Sequence, residues 1–100
     1  MNFSKKDQTI LKEIVGLLMT QSKQEYETAL VKLDEIDNQD HWEVKKIRGN
    51  ILIDLSRYFP TYTPQYIQAI DELKKANELN PDCFEVLYGL AQAHQKLMLF

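Results

Sequence analysis

The Asn80-Pro81 step constrains this chain more than any other feature, because it stands between two stretches of helical periodicity and forces a corner between them. Proline has no backbone N–H to donate and disfavours helical geometry in the residue before it, so a helix read from upstream must stop at Asn80. Upstream, the apolar residues Tyr66, Ala69, Ile70, Leu73, Ala76 and Leu79 recur at spacings of three and four, which places them on one helical stripe. Gln68, Asp71, Glu72, Lys75 and Glu78 fill the other faces. Thr63 reads as the N-cap of this helix, and Pro64 as its first residue, where a missing N–H costs nothing. Downstream, Asp82 and Glu85 have capping-box spacing. Phe84, Leu87, Tyr88, Ala91, His94 and Met98 then predict the stripe of a second helix. With Leu90 and Leu97 beside it, the apolar surface is broad enough for a helix packed on two sides.

The preceding residues repeat the theme. Ser4 is a candidate N-cap for a first helix from Lys5 to about Thr20, with Asp7 in its first turn favouring the helix dipole. Ile10, Leu11, Ile14, Val15, Leu17 and Leu18 predict its apolar face. Gly16 sits within that face, and interior glycine costs a helix roughly 1 kcal/mol relative to alanine, so close approach of a neighbouring helix is the expected reason for it. Ser22 with Glu25 caps a second helix from Lys23 to Ile36, striped by Tyr26, Ala29, Leu30, Leu33 and Ile36. Asp40 with Glu43 opens a third, to about Arg57 or Tyr58, striped by Val44, Ile47, Ile51, Leu52 and Leu55, with Gly49 as another interior glycine. The aromatic, proline-marked stretch from Phe59 to Thr63 is expected to pack. Short breaks between helices favour antiparallel neighbours.

Composition limits the function classes. Twelve Lys and Arg against 15 Asp and Glu leave a net charge of −3, which argues against the basic footprint of general nucleic-acid binding. No apolar run nears the roughly 20 residues that span a bilayer, so no membrane span is expected. The opening Met1-Asn2-Phe3-Ser4-Lys5-Lys6 lacks the apolar core of a signal peptide, and a single cysteine excludes an intrachain disulfide. Cytoplasm is the default compartment, ahead of nucleus or organelle matrix.

Small residues mark the stripes at Gly16, Ala29, Gly49, Ala69 and Ala91, and the best run is Ala69, Leu73, Ala76, Leu79-Asn80-Pro81, continuing into Leu87, Leu90 and Ala91. This pattern resembles the tetratricopeptide repeat (TPR), a helical hairpin of about 34 residues with small side chains where its helices cross. The resemblance implies an all-α fold of antiparallel hairpins stacked as about two and a half repeats in one domain, residues 1–100. The five helices would form a hairpin over 4–37, a second over 40–80 with an inserted turn near 56–63, and an unpaired last helix over 82–98. The second unit departs from the pattern, since the step from Gly49 to Ala69 exceeds the motif's. Arg48-Gly49-Asn50, Tyr62-Thr63-Pro64 and Lys74-Lys75-Ala76 leading to Pro81 are also similar to the N-terminal repeats of the Strap-type TPR family. That family is associated with transcriptional co-activation and with recognising nascent tubulin chains.

The function implied is a non-catalytic protein–protein interaction module, an adaptor or a small subunit of a larger assembly. A Strap-like reader of a nascent or extended peptide is the alternative, and a small enzyme or enzyme regulator stands third. In TPR arrays the first helix of each hairpin lines a concave groove. Registered on Gly16, Gly49 and Ala91, the groove positions are Glu13, Leu17 and Thr20, then Glu43, Lys46, Asn50 and Ile53, then Tyr88, Gln92 and Gln95. Glu43, Lys46, Asn50, Tyr88 and Gln92 are the candidate peptide contacts. Lys46 and Asn50 share one helix face and match two residue types of the family's carboxylate clamp, while Gly89 and Glu85 depart from it. A second candidate contact is the apolar run Leu97-Met98-Leu99-Phe100, where a partner helix, a continuation or a second copy would dock. His94 is expected to be a packed core histidine. His41, Cys83 and His94 have no metal-ligand spacing, no carboxylate pair suggests acid–base work, and no cofactor is expected. Trp42 is expected to pack beside the second helix, with an interface anchor as the second reading.

Overall fold

The computed structural model describes residues 3–56, 58 and 64–98, including the side chains of all these except 65 and 96–98. The fold is all-α: α1 (Lys5–Leu18), α2 (Lys23–Leu33), α3 (Trp42–Ser56), α4 (Pro64–Leu79) and α5 (Phe84–Met98), with no strand among the described residues. The chain forms two compact units, Met1–Asp40 and His41–Phe100. The expected Thr63 cap, the Phe59 to Thr63 packing, Leu99, Phe100 and the side chains of Leu97 and Met98 lie outside the described residues.

The first unit is the α1–α2 hairpin. Ser4 caps α1 as its sequence predicts, its Oγ accepting from the Asp7 N–H at 3.1 Å. Ser22 does the same for α2, accepting from Glu25 N–H at 3.2 Å. Both helices end earlier than their periodicity suggests, at Leu18 and Leu33. After α1 the chain turns through Gln21, whose φ of 55° is a left-handed value. After α2 it turns so that Ile36 is still buried. The core here is Ile14, Tyr26, Ala29, Leu33 and Ile36. Val15 is exposed, so the buried stripe of α1 is narrower than expected. Gly16 is a correction: a Cβ built there meets nothing within 4 Å among the described residues, so close approach of its hairpin partner does not account for it.

Asp7 does more than favour a dipole. It is 1% exposed, and its carboxylate accepts from the Asp37 N–H at 3.0 Å and the Asn38 N–H at 3.3 Å. The chain leaving α2 is thereby tied to the first turn of α1. Gln39 closes the other end of that turn, donating from Nε2 to the Leu33 and Ile36 carbonyls at 2.7 and 2.6 Å. The Leu33 carbonyl also accepts from the Ile36 N–H at 3.2 Å, so Gln39 adds a side-chain tie to the chain leaving α2. Lys32 and Glu13 bridge the two helices at 2.6 Å, and this hydrogen-bonded carboxylate holds the lysine ammonium above its ordinary pKa range.

The second unit packs α3 against α4, and α5 against both. Two helix starts differ from the sequence reading. α3 is capped by His41 rather than Asp40: the Glu43 N–H donates to His41 Nδ1 at 3.1 Å, and Val44 and Lys45 N–H groups donate to its carbonyl. Asp82 adopts a φ of 68° to turn the chain after Pro81, which takes its side chain out of the extended geometry an N-cap needs. The helix therefore starts at Phe84, and Leu87 N–H donates to the Cys83 carbonyl at 3.0 Å. The stop at Asn80-Pro81 is as expected, with α4 ending at Leu79, although Leu79 itself is exposed.

Gly49 is where α3 and α4 touch. A Cβ added there would lie 2.6 Å from Leu73 Cγ and 3.2 Å from the Ala69 carbonyl oxygen. The predicted stripes of α3 and α4 are buried at Val44, Ile51, Leu52, Leu55, Tyr66, Ala69, Ile70, Leu73 and Ala76. α5 turns a different face inward than its large apolar residues suggest. Val86, Gly89 and Ala93 are buried, while Phe84, Leu87, Tyr88, Ala91 and His94 are exposed. The reason is steric. Gly89 lets α5 sit so close that a Cβ there would lie 2.5 Å from Asn50 Oδ1 and 3.0 Å from Leu73 Cδ1. Gly89 and Ala93 allow this close approach on the inner face beside Val86, and the face with Phe84, Leu87 and Tyr88 is left outward. The crossing residue of α5 is thus Gly89, not Ala91, and His94 is not a core histidine.

Candidate functional site: a concavity between α3 and α5

The outward face left by this packing borders an open concavity of about 310 Å3, lined by Asn50 and Asp54 of α3 and by Phe84, Glu85, Tyr88 and Gln92 of α5. Asn50 and Asp54 are one helical turn apart, as are Phe84 and Tyr88, and Tyr88 and Gln92, so each wall presents neighbouring side chains on one face. Gly89 seats the α5 wall directly against Asn50. A second restraint comes from α4, where the buried Tyr66 hydroxyl donates to the Ala93 carbonyl at 2.8 Å and approaches the Gln92 carbonyl at 3.4 Å. Burial of that phenol raises its pKa above the ordinary tyrosine value, so it remains a donor well into the alkaline range.

The rings of Phe84 and Tyr88 stack, with centroids 5.9 Å apart and planes 20° from parallel. They are nonetheless 77% and 56% exposed. Such side chains usually supply core or contact area, and a stacked pair of them held in the open is the most unusual feature of this face.

Of the five peptide contacts read from the sequence, Asn50, Tyr88 and Gln92 come together around this concavity. Lys46 stands beside it, not in its lining. Its Nζ lies 3.0 Å from Glu85 Oε2 and 5.2 Å from the centroid of the Trp42 ring, and its side chain is only 14% exposed. Trp42 stacks in turn on His41, with ring centroids 6.0 Å apart. Glu43 is half-buried in the first turn of α3, where its N–H is held by His41. Ile53 is a correction: it is buried, because it lies one turn beyond Gly49 on the face that meets α4, and Asp54 takes the outward position instead. Gln95 is exposed on α5 but does not line the concavity. Glu13, Leu17 and Thr20 belong to the first unit, where Glu13 pairs with Lys32 and the Thr20 hydroxyl donates to the Leu17 carbonyl at 2.8 Å.

Two lining residues, Asp54 and Phe84, escaped the sequence reading as groove positions, while Glu85 entered it only as a departure from the clamp. Asp54 was legible as the residue one turn beyond Asn50. Phe84 was not, because its placement follows from which face of α5 turns inward.

Among the described residues no three His, Cys, Asp or Glu side chains gather closely enough to hold a metal ion. No helix among them is long and apolar enough to cross a membrane. Compared with protein-family models, curated proteins and solved structures, the chain matches none.

Proposed function

We propose that this chain is a non-catalytic protein-interaction module of TPR-like hairpins, serving as an adaptor or a small subunit of a larger assembly. On this reading the α3–α5 concavity receives an extended segment of a partner protein. The observation that carries it is the exposed stacked pair Phe84 and Tyr88 beside a concave wall of polar side chains. Interface hot spots favour aromatic anchors surrounded by polar groups, and extended peptides are read by such shallow grooves. Further support comes from the rigidity of the walls, since Gly89 and Tyr66 hold α5 in place and little ordering would be needed on binding.

The test is selection of a random peptide library displayed on phage against the immobilised protein, repeated with Tyr88→Ala. Enrichment by the wild type that is lost in the variant, at unchanged far-UV circular dichroism, is the expected result. Enrichment that is indifferent to Tyr88→Ala would sink the assignment of this face.

A further inference from the structure

We infer that the segment received by this concavity is basic, and that it seats an arginine side chain between the Phe84–Tyr88 rings and the carboxylates of Asp54 and Glu85. The inference rests on the interaction-module reading above and specifies its partner's chemistry.

The lining is one-sided in charge. Its two ionisable acids are Asp54 and Glu85, and it contains no lysine or arginine. Ionised carboxylates only accept hydrogen bonds, and the side-chain oxygens of Asn50 and Gln92 accept as well. A guanidinium offers five donors and no acceptor, so it suits the two carboxylates and can donate to the amide oxygens beside them. It is also planar, and it stacks on exposed aromatic faces such as those of Phe84 and Tyr88. A peptide carboxylate would meet the opposite arrangement, with like charge from Asp54 and Glu85. Lys46, held by Glu85 and the Trp42 ring, lies outside the lining. Glu85 is 63% exposed in its side chain, so its pairing with Lys46 is a weak surface bridge that leaves the carboxylate able to accept from a second cation. The overall charge of −3 favours approach of a basic segment in the same sense.

The experiment sequences the peptides enriched from the phage library. The best peptide, acetylated and amidated, is then titrated by fluorescence anisotropy with each of its basic residues replaced in turn by glutamine. Enriched peptides should carry arginine. Replacing the critical one should weaken binding at least tenfold, and Asp54→Asn should weaken it by a similar factor while leaving binding of the glutamine peptide nearly unchanged. Glu85→Gln, on the exposed rim, gives an independent reading should Asp54→Asn perturb folding; a loss of threefold or more is expected, shrinking as salt is raised. Enrichment of acidic or purely apolar peptides through the same Tyr88-dependent face overturns the basic-partner inference and leaves the module reading intact. Equal binding by wild type, Asp54→Asn and Glu85→Gln overturns it too. Enrichment indifferent to Tyr88→Ala overturns the inference with its face, and no enrichment by the wild type at all overturns both.

Discussion

The same substitution at two glycines should change stability in opposite directions. At Gly49 an alanine methyl would sit 2.6 Å from Leu73 Cγ, 2.9 Å from Leu73 Cδ2 and 3.2 Å from the Ala69 carbonyl oxygen. Carbon atoms in favourable contact stand about 3.5–4.0 Å apart, so something must move by roughly an ångström. Leu73 is fully buried, and Cγ is not a flexible tip that can swing aside, so α4 must recede or Leu73 must leave its rotamer. Overpacking of this kind costs about 1–3 kcal/mol. Removing a helical glycine returns only about 0.5–1 kcal/mol. Gly49→Ala should therefore destabilise the second unit by about 1 kcal/mol. At Gly16 nothing lies within 4 Å and the backbone is not left-handed, so only the propensity gain remains, and Gly16→Ala should stabilise the first unit by about 0.5 kcal/mol. In a chain of this size 1 kcal/mol moves the melting temperature by roughly 4–8 °C. Thermal melts followed by circular dichroism should show Gly49→Ala lower and Gly16→Ala higher than the wild type. Because the glycines lie in separate compact units, amide hydrogen exchange should assign each change to its own helices. A Gly49→Ala protein as stable as the wild type would refute the claim that α3 and α4 are in steric contact there.

Two further outcomes follow from polar groups the core depends on. Asp7→Asn replaces an acceptor-only carboxylate with one acceptor and one donor, so one of the two N–H groups of Asp37 and Asn38 loses its partner. The expected loss is about 1–3 kcal/mol, read as a lower urea midpoint, and an unchanged midpoint would show that the loop is held by other means. The pKa of Tyr66 is raised by burial, so its contribution to stability is fully present below the unfolded tyrosine value of about 10 and is lost as pH rises through the folded value. Tyr66→Phe should cost about 1 kcal/mol at neutral pH and show a shallower fall in denaturant midpoint above pH 10; an identical alkaline fall in both proteins would show that this hydroxyl is not responsible.

Much of the architecture is legible locally. Ser4 and Ser22 cap the helices their spacing announces, and Asn80-Pro81 ends α4 where a proline must. Most of the predicted stripe residues of α2, α3 and α4 are buried, with Leu79 exposed at the end of α4. Legibility fails where a local signal has two outcomes. Gly16 and Gly49 look alike as letters, and only the neighbour distances distinguish a crossing from open solvent. Asp7 resembles an ordinary first-turn acid until its partners, some 30 residues away, are known. His41 displaces Asp40 as a cap because the first turn begins one residue later than the pattern suggests.

The candidate site shows the same division. Asn50, Tyr88 and Gln92 could be chosen from helical spacing, because spacing on one helix decides which side chains share a face. Which face of α5 turns inward could not, since that helix is apolar on several sides. The sequence alone determined the number of helices, several of their boundaries and the identity of the aromatic and acidic residues. The tertiary structure decided that Val86, Gly89 and Ala93 go in, and that Phe84 and Tyr88 stay out beside Asp54 and Glu85. The physical reason is that side-chain periodicity is a property of one helix, whereas the choice between two competing faces depends on how closely a second helix can approach each of them.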